Sequence, residues 1–399
     1  MDRTDELLSD AVNRRLTADV PVGIFLSGGI DSGLVSHYAG RRRGGTPPVA
    51  LTVDFHEREF SEGDVAAKMA AADGLEHRTV RVSVDSLANL PTIAWHCGEP
   101  FADASVVNEY VLARAARDHA TVFLTGDGGD EAFGGYDEYV RMTRFGALAG
   151  LGAAGGPALA AVGRRLLARD SSMLRRLLKL SGGASGFGAL VRQNFRDPVH
   201  ADLLHPEWRV SAERVEAGIW AAWERTAGLP LVTRMQRLDY VHYLEADVLV
   251  KVDRATMAWA VEARSPFLDY RVVELAGRMP PALHVAHHRG KHLLRQLAAR
   301  HRSADLAQAA KKGFGLPISR WFKEGLAGRL QRLVAERSRP WWNPQAITEL
   351  IGSHDRGRRG LDDVLWRVLM LEMWARVFLD GDRSDWVDES GDRAGSVQA

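Results

Sequence analysis

Val20-Pro21-Val22-Gly23-Ile24-Phe25-Leu26-Ser27-Gly28-Gly29-Ile30-Asp31-Ser32 is an apolar run that ends abruptly in small residues and one carboxylate. A run without polar alternation fits a parallel strand covered on both faces, and its end predicts a turn through Ser27, Gly28 and Gly29 directly into a helix beginning near Asp31. Such a turn suits phosphate. Two glycines let the backbone approach an anion with no Cβ in the way, while the free N–H groups and positive dipole end of the helix favour negative charge. Ser27 and Ser32 add hydroxyl donors. Asp31 would oppose a phosphate unless a cation stood between them, and the implied cation is magnesium. The competing reading is a plain strand-to-helix turn, which Gly and Ser also build.

Working outward, residues 5–16 read as an amphipathic helix with Leu7, Leu8, Ala11, Val12 and Leu16 on one stripe. Residues 33–43 continue the helix after the loop, and 49–55 form a second apolar strand. Residues 61–73 make a helix with Gly74 as its C-cap, and 77–82 a third strand. A helix over 106–118 and a fourth strand over 121–125 complete the series. This alternation predicts an α/β fold, a parallel sheet with helices on both faces, whose ligands bind at the carboxyl ends of the strands. The Ser27 loop lies at one such end, and Thr125-Gly126-Asp127-Gly128-Gly129-Asp130-Glu131 at another. From about 139 the strand signal stops. The expected organisation is therefore a nucleotide-binding core over 1–138, a largely helical C-terminal region over 139–379 and a polar, disordered tail over 380–399. Gly150-Leu151-Gly152-Ala153-Ala154-Gly155 matches a dinucleotide fingerprint, but no strand precedes it.

Composition limits the function classes. A net charge of +1 gives no electrostatic case for nucleic acid or a membrane as main partner. The single cysteine, Cys97, excludes an internal disulfide and a Cys-cluster metal site, which fits a reducing cytoplasm. Cys97 itself reads as a small buried hydrophobe.

Ser27-Gly28-Gly29-Ile30-Asp31-Ser32 after a hydrophobic strand resembles the pyrophosphate-binding (PP-loop) turn of ATP pyrophosphatases. Further stretches are similar to the asparagine synthetase family. These are Glu99-Pro100-Phe101-Ala102-Asp103, the acidic turn 125–136, Leu249-Val250-Lys251-Val252-Asp253-Arg254 with Glu262-Ala263-Arg264-Ser265-Pro266-Phe267-Leu268-Asp269, Lys311-Lys312-Gly313-Phe314-Gly315-Leu316-Pro317, and the closing helix through Trp366 and Trp374. Their order and spacing cover residues 5–379.

The resemblance implies a two-step ligase. A carboxylate attacks the α-phosphate of ATP to give an acyl-adenylate and pyrophosphate, and ammonia then displaces AMP to give an amide. Ser27, Gly28, Gly29, Asp31 and Ser32 would hold pyrophosphate, Asp31 and Asp130 would share magnesium, and Leu26, Val53 and Gly126 would line the adenine and ribose pocket. Asp127 would orient or deprotonate the amine, and Lys311 would neutralise charge developing on the phosphates. Read without the resemblance, Asp127, Asp130 and Glu131 could simply cap a helix. Lys251, Asp253, Arg254, Glu262, Arg264 and Asp269 read as an ion-pair network supporting the site.

Gly33 and Ala309 depart from the family's usual Ser and Arg, and Asp2 follows Met1 where glutamine-using members begin with a cysteine nucleophile. The expectation is thus a cytoplasmic synthetase domain without its glutaminase, fed with ammonia directly or by a separate glutaminase subunit. Aspartate is the leading carboxylate, because β-lactam-forming relatives carry tyrosine at the position of Asp127. The alternatives are an amide ligase of a specialised-metabolite or peptide pathway, and a nucleotide-binding scaffold without catalysis.

Overall fold

β1 (Val22–Phe25) is the middle strand of a five-stranded parallel sheet of order β3-β2-β1-β4-β5. The computed structural model describes residues 1–42, 47–57, 59–143, 202–302, 315–358 and 360–386. β2 (Val49–Phe55) pairs with one side of β1 in the register Gly23↔Val49, and β3 (Glu76–Val82) lies beyond it. β4 (Val122–Leu124) pairs with the other side in the register Val22↔Val122. The central strands are apolar at successive positions because both faces are covered. Ile24, Leu26 and Leu124 enter one core with Leu8 and Val12 of α1 (Asp2–Arg15), Leu34 and Val35 of α2 (Ile30–Gly40), and Met69 of α3 (Gly63–Ala72). Phe25, Leu51, Val53 and Phe123 enter the other, with Ile93 of α4 (Leu90–Cys97), Val107 of α5 (Val106–Ala116), and Trp366 and Leu369 of the long helix Asp362–Phe378. The Phe25 and Phe123 rings stack there with centroids 4.5 Å apart.

Starting from β1, the chain steps outward through β2 and β3 and then returns to lay down β4 on the opposite side. The order reverses between β1 and β4, which opens a crevice at their carboxyl ends. Both signature loops emerge into it.

Two features go beyond the sequence reading. A fifth strand, β5 (Glu262–Arg264), pairs parallel with β4 in the register Val122↔Glu262, inside the region read as helical. Three residues, two of them charged, are too short a run to read as a strand; the ladder to β4 makes them one. The tail expected to be disordered is held down as far as Trp386. Arg337 and Arg339 bind Asp380, Arg376 and Arg337 bind Asp382, and Trp386 N–H reaches Ala88 O at 3.0 Å with the Arg329 guanidinium over its ring. Residues 387–399, like the 150–155 fingerprint, fall outside the described part.

The acidic turn runs into α6 (Gly129–Phe133). Beyond it, α7 (Ala212–Glu224) and α8 (Leu231–Asp239) build a smaller core around Trp223, Met235 and Tyr139. α9 (Leu249–Met257) packs on α5, α10 (Tyr270–Gly277) follows β5, and α11 (His292–His301) packs on α2.

Candidate active site

Leu26 N–H donates to Leu51 O at 2.8 Å, carrying the β1 ladder one residue past the strand before the loop turns. Ser27 and Ser32 hydroxyls then meet at 2.8 Å. Ser32 Oγ accepts Ser27 N–H at 3.1 Å, Ser27 Oγ accepts Gly29 N–H at 3.1 Å, and Gly28 N–H donates to Glu62 Oε2 at 3.0 Å. A carboxylate oxygen thus stands on the loop amide that an anionic ligand would use.

From the end of β4, Thr125 N–H donates to Arg264 O of β5 at 2.9 Å, and the acidic turn swings over the start of α2. A Cβ on Gly126 would lie 2.9 Å from Ser32 N, and one on Gly129 2.6 Å from Asp31 Cγ, so only glycine allows this approach. The approach brings Asp31 and Asp130 onto one cation. Lys291 Nζ lies 2.8 Å from Asp130 Oδ1 and in direct contact with Asp31 Oδ2. Lys291 caps α11 in the left-handed region (φ 56°, ψ 36°), its N–H reaching Gly134 O at 3.3 Å. Burial opposes its charge, but the two carboxylates outweigh burial and hold the ammonium well above its ordinary pKa. Two carboxylates converging on one cation are a hard-oxygen donor pair of the kind magnesium takes beside polyphosphate. Among the described residues no group of three or more His, Cys, Asp or Glu is placed to hold a metal, so water and substrate oxygens would complete its shell.

The helix-capping reading of this turn is not what forms. Gly128 is the N-cap of α6, with no side-chain cap bond. Glu131 is buried under Tyr136, whose hydroxyl donates to it, and burial pushes its carboxyl up to about 7.

Asp127 lies half-buried at the end of β4, its carbonyl oxygen accepting from the Ser265 hydroxyl. Burial raises its carboxyl above the usual range, against the pull of the Thr125 hydrogen bond and Lys251. On the facing wall Lys251 of α9, 8% exposed, binds Asp103 at 2.8 Å. Asp103 Oδ1 also accepts Ser105 N–H at 2.9 Å and the Ser105 hydroxyl at 2.8 Å, fixing the start of α5. One helical turn on, Glu109 joins this group, its carboxyl pushed up to about 8 by burial first and by the charge of Asp127 second.

Lys291 and Glu109 were not among the residues singled out from sequence. Glu109 left a signal, being the only charge between Asp103 and Arg114. Lys291 left none beyond its place beside Gly290 at a helix start.

The remaining sequence-derived residues divide. Leu26 and Val53 lie at the same sheet edge, but their side chains enter opposite cores. Lys311 lies outside the described residues. Of the residues read as an ion-pair network, Lys251 takes Asp103, Arg264 takes Glu262 at 2.7 Å and Arg254 lies 4.0 Å from Asp253, while Asp269 takes Arg271 and Arg15 and Arg271 goes on to Asp10 at 2.6 Å. Cys97 is buried, and burial pushes its thiol up to about 12.

A family model described as asparagine synthase matches residues 3–376. The putative asparagine synthetase (glutamine-hydrolyzing) of Mycobacterium tuberculosis strain ATCC 25618 / H37Rv is 32% identical over 396 residues, covering 95% of this chain and 58% of that protein. Asparagine synthetase (glutamine-hydrolyzing) 1 of Bacillus subtilis strain 168 is 29% identical, over 94% of this chain and 59% of its own length. Amidase chry2 of Gibberella zeae is 25% identical over 83% of this chain and 54% of its own length. The chain thus spans less than two thirds of the length of these relatives. No helix among the described residues is long and apolar enough to cross a membrane.

Proposed function

The chain belongs to the asparagine synthase family, and on that premise we propose that it is an ATP-dependent ligase which adenylates a carboxylate and transfers ammonia to it, releasing pyrophosphate and AMP. The observation that carries the reading is the meeting of the Ser27–Gly29 turn and the acidic turn at the one sheet crevice, with Asp31 and Asp130 converging on a shared cation. Phosphate binding asks for backbone N–H groups beside a helix start; Gly28 would supply one once Glu62 yields, and Ser27 and Gly29 two more once the Ser32 and Ser27 hydroxyls release them. Asp31 and Asp130 would hold magnesium, which when bound neutralises charge on the phosphates. Lys291 adds a fixed positive charge at the same point, where negative charge builds as pyrophosphate departs. Asp127, three residues past β4 in the acyl-facing turn of this reading, would orient or deprotonate the amine. Lys311 belongs to the same reading as a second charge for adenylation. Aspartate is the first acid to test.

The test is exchange of labelled pyrophosphate into ATP over a panel of carboxylic acids headed by L-aspartate. Exchange that needs ATP, magnesium and one acid, and no amine, is the expected result. Cleavage of ATP to ADP and phosphate would overturn the reading. Asp31→Asn and Asp130→Asn should each lose most of the exchange, about 2 to 4 kcal/mol of transition-state stabilisation.

A further inference from the structure

Resting on the ligase reading above, we propose that Lys291 keeps metal out of the Asp31–Asp130 pair until nucleotide arrives. The ammonium and the metal compete for the same two carboxylates, and the phosphates of ATP draw the ammonium away. Lys291 Nζ stands 2.8 Å from Asp130 Oδ1 and in contact with Asp31 Oδ2, the two oxygens that a shared metal would take. Magnesium holds its oxygens at about 2.1 Å, so an ion bound by both would fall in the space that the ammonium fills. One of the two has to leave. The three side chains are largely enclosed, Lys291 at 9%, Asp31 at 14% and Asp130 at 22% exposure, so an ammonium driven off with no new acceptor is left buried and unpaired. Magnesium for its part usually takes only one or two carboxylates and completes its shell with water and substrate phosphates. Two carboxylates already holding a cation are therefore a poor site for the metal alone. With ATP present, the same phosphates give the metal its remaining oxygens and the ammonium an acceptor.

The slot around Lys291 is shaped to its side chain. A Cβ on Gly135 would run into both Asp130 Oδ1 and Lys291 Cε, and one on Gly290 into Gly134 O, so two glycines let the lysine stem lie against the acidic turn. The backbone of Lys291 is pinned from both sides, its N–H on Gly134 O at 3.3 Å and its carbonyl accepting Arg295 N–H at 2.8 Å. It stays left-handed at φ 56°, as do His287 at 49° and His288 at 59° in the turn just before it. Residues other than glycine hold that conformation only where their surroundings over-determine it. The backbone is thus fixed and the flexible four-carbon stem is the part that moves, so the charge passes from carboxylate to phosphate without leaving the site.

The experiment is equilibrium dialysis of the chain against manganese, which carboxylate sites accept in place of magnesium, with and without ATP and with no acid or amine present. Without ATP, Lys291→Gln should bind an ion about tenfold to a hundredfold more tightly than wild type, and Lys291→Gln/Asp130→Asn should lose it again. Wild type should take up the ion when ATP is added. Equal affinity of wild type and Lys291→Gln for manganese alone would overturn the proposal, and so would a wild type that takes none with ATP either. A second measurement keeps the lysine. In chain labelled with heavy nitrogen at the lysine ammonium groups, the Lys291 resonance, assigned by its absence from Lys291→Arg, should stay in place with magnesium alone and move when magnesium and ATP are added together. Movement with magnesium alone, or none with both, would overturn the proposal even where Lys291→Gln does not fold. Neither measurement involves turnover. A chain that behaves as expected in both, yet exchanges pyrophosphate with no acid, would strike the ligase reading and leave the competition at Asp31 and Asp130 standing.

Discussion

At Lys291 a single ammonium, 9% exposed, neutralises two carboxylates that come from opposite ends of the sheet's crevice. Removing one partner of a buried pair is costlier than the pair is worth, because the other charge stays buried. Lys291→Met should therefore cost about 3 to 5 kcal/mol of unfolding free energy in EDTA. Magnesium should recover more of that loss than it adds to wild type, since the carboxylates are then open to it; urea titrations with and without magnesium check both. A variant as stable as wild type in EDTA would mean that Asp31 and Asp130 do not depend on this cation. Glu62 gives the opposite sign for ligand. It occupies Gly28 N–H at 3.0 Å, so Glu62→Ala should lower the KM for ATP by about threefold to tenfold with kcat little changed. A raised KM would show that Glu62 assists nucleotide binding. The two loops at the crevice were legible in sequence because small residues and carboxylates stand there at fixed local spacing after apolar strands. Lys291 was not, because what brings it to the crevice is a contact with Asp31 at a separation of 260 residues.

Asp269 shows what elements need from one another around the crevice. Its carboxylate accepts Arg271 N–H at 3.0 Å, capping α10, and also binds Arg15 of α1 at 3.1 Å, so one side chain ends β5's loop and ties two helices. Arg271 first, then Arg15, outweigh burial and hold its carboxyl far below the usual range. An acid whose folded-state pKa is depressed adds stability above its unfolded value of about 4 and loses it as pH falls through the folded one. Asp269→Asn should cost about 1 to 3 kcal/mol at neutral pH, and the gap to wild type should narrow below about pH 4. Denaturant midpoints at neutral and acid pH test this; a gap independent of pH would mean the ion pairs add nothing beyond the cap. Element legibility followed the same physics. β2 was read at its observed bounds because five of its seven residues are apolar, as a strand covered on both faces requires. β5 was invisible, since Glu262-Ala263-Arg264 becomes a strand only through β4, and its Arg264 carbonyl then receives Thr125 N–H at the root of the acidic turn.

Taken whole, the proposed reading puts amide formation at the carboxyl ends of β1 and β4, and releasing ammonia from glutamine is a separate reaction. That release needs a nucleophile, ordinarily a thiolate. The chain's one cysteine, Cys97, is the last residue of α4 and 6% exposed in the core, and burial pushes its thiol up to about 12, so the thiolate is scarce at neutral pH. The chain taken alone should therefore form amide from ammonium chloride and not from glutamine. Only neutral ammonia has the lone pair to attack, so at fixed total ammonium the rate should climb with pH. The decisive measurement is amide formation by the purified chain with each nitrogen source, with Cys97→Ser in parallel. Glutamine-driven turnover that vanishes in Cys97→Ser would overturn this account of the site. Glutamine use that begins only when a second polypeptide is supplied would place the ammonia source on that partner and leave the crevice between β1 and β4 as the receiving end.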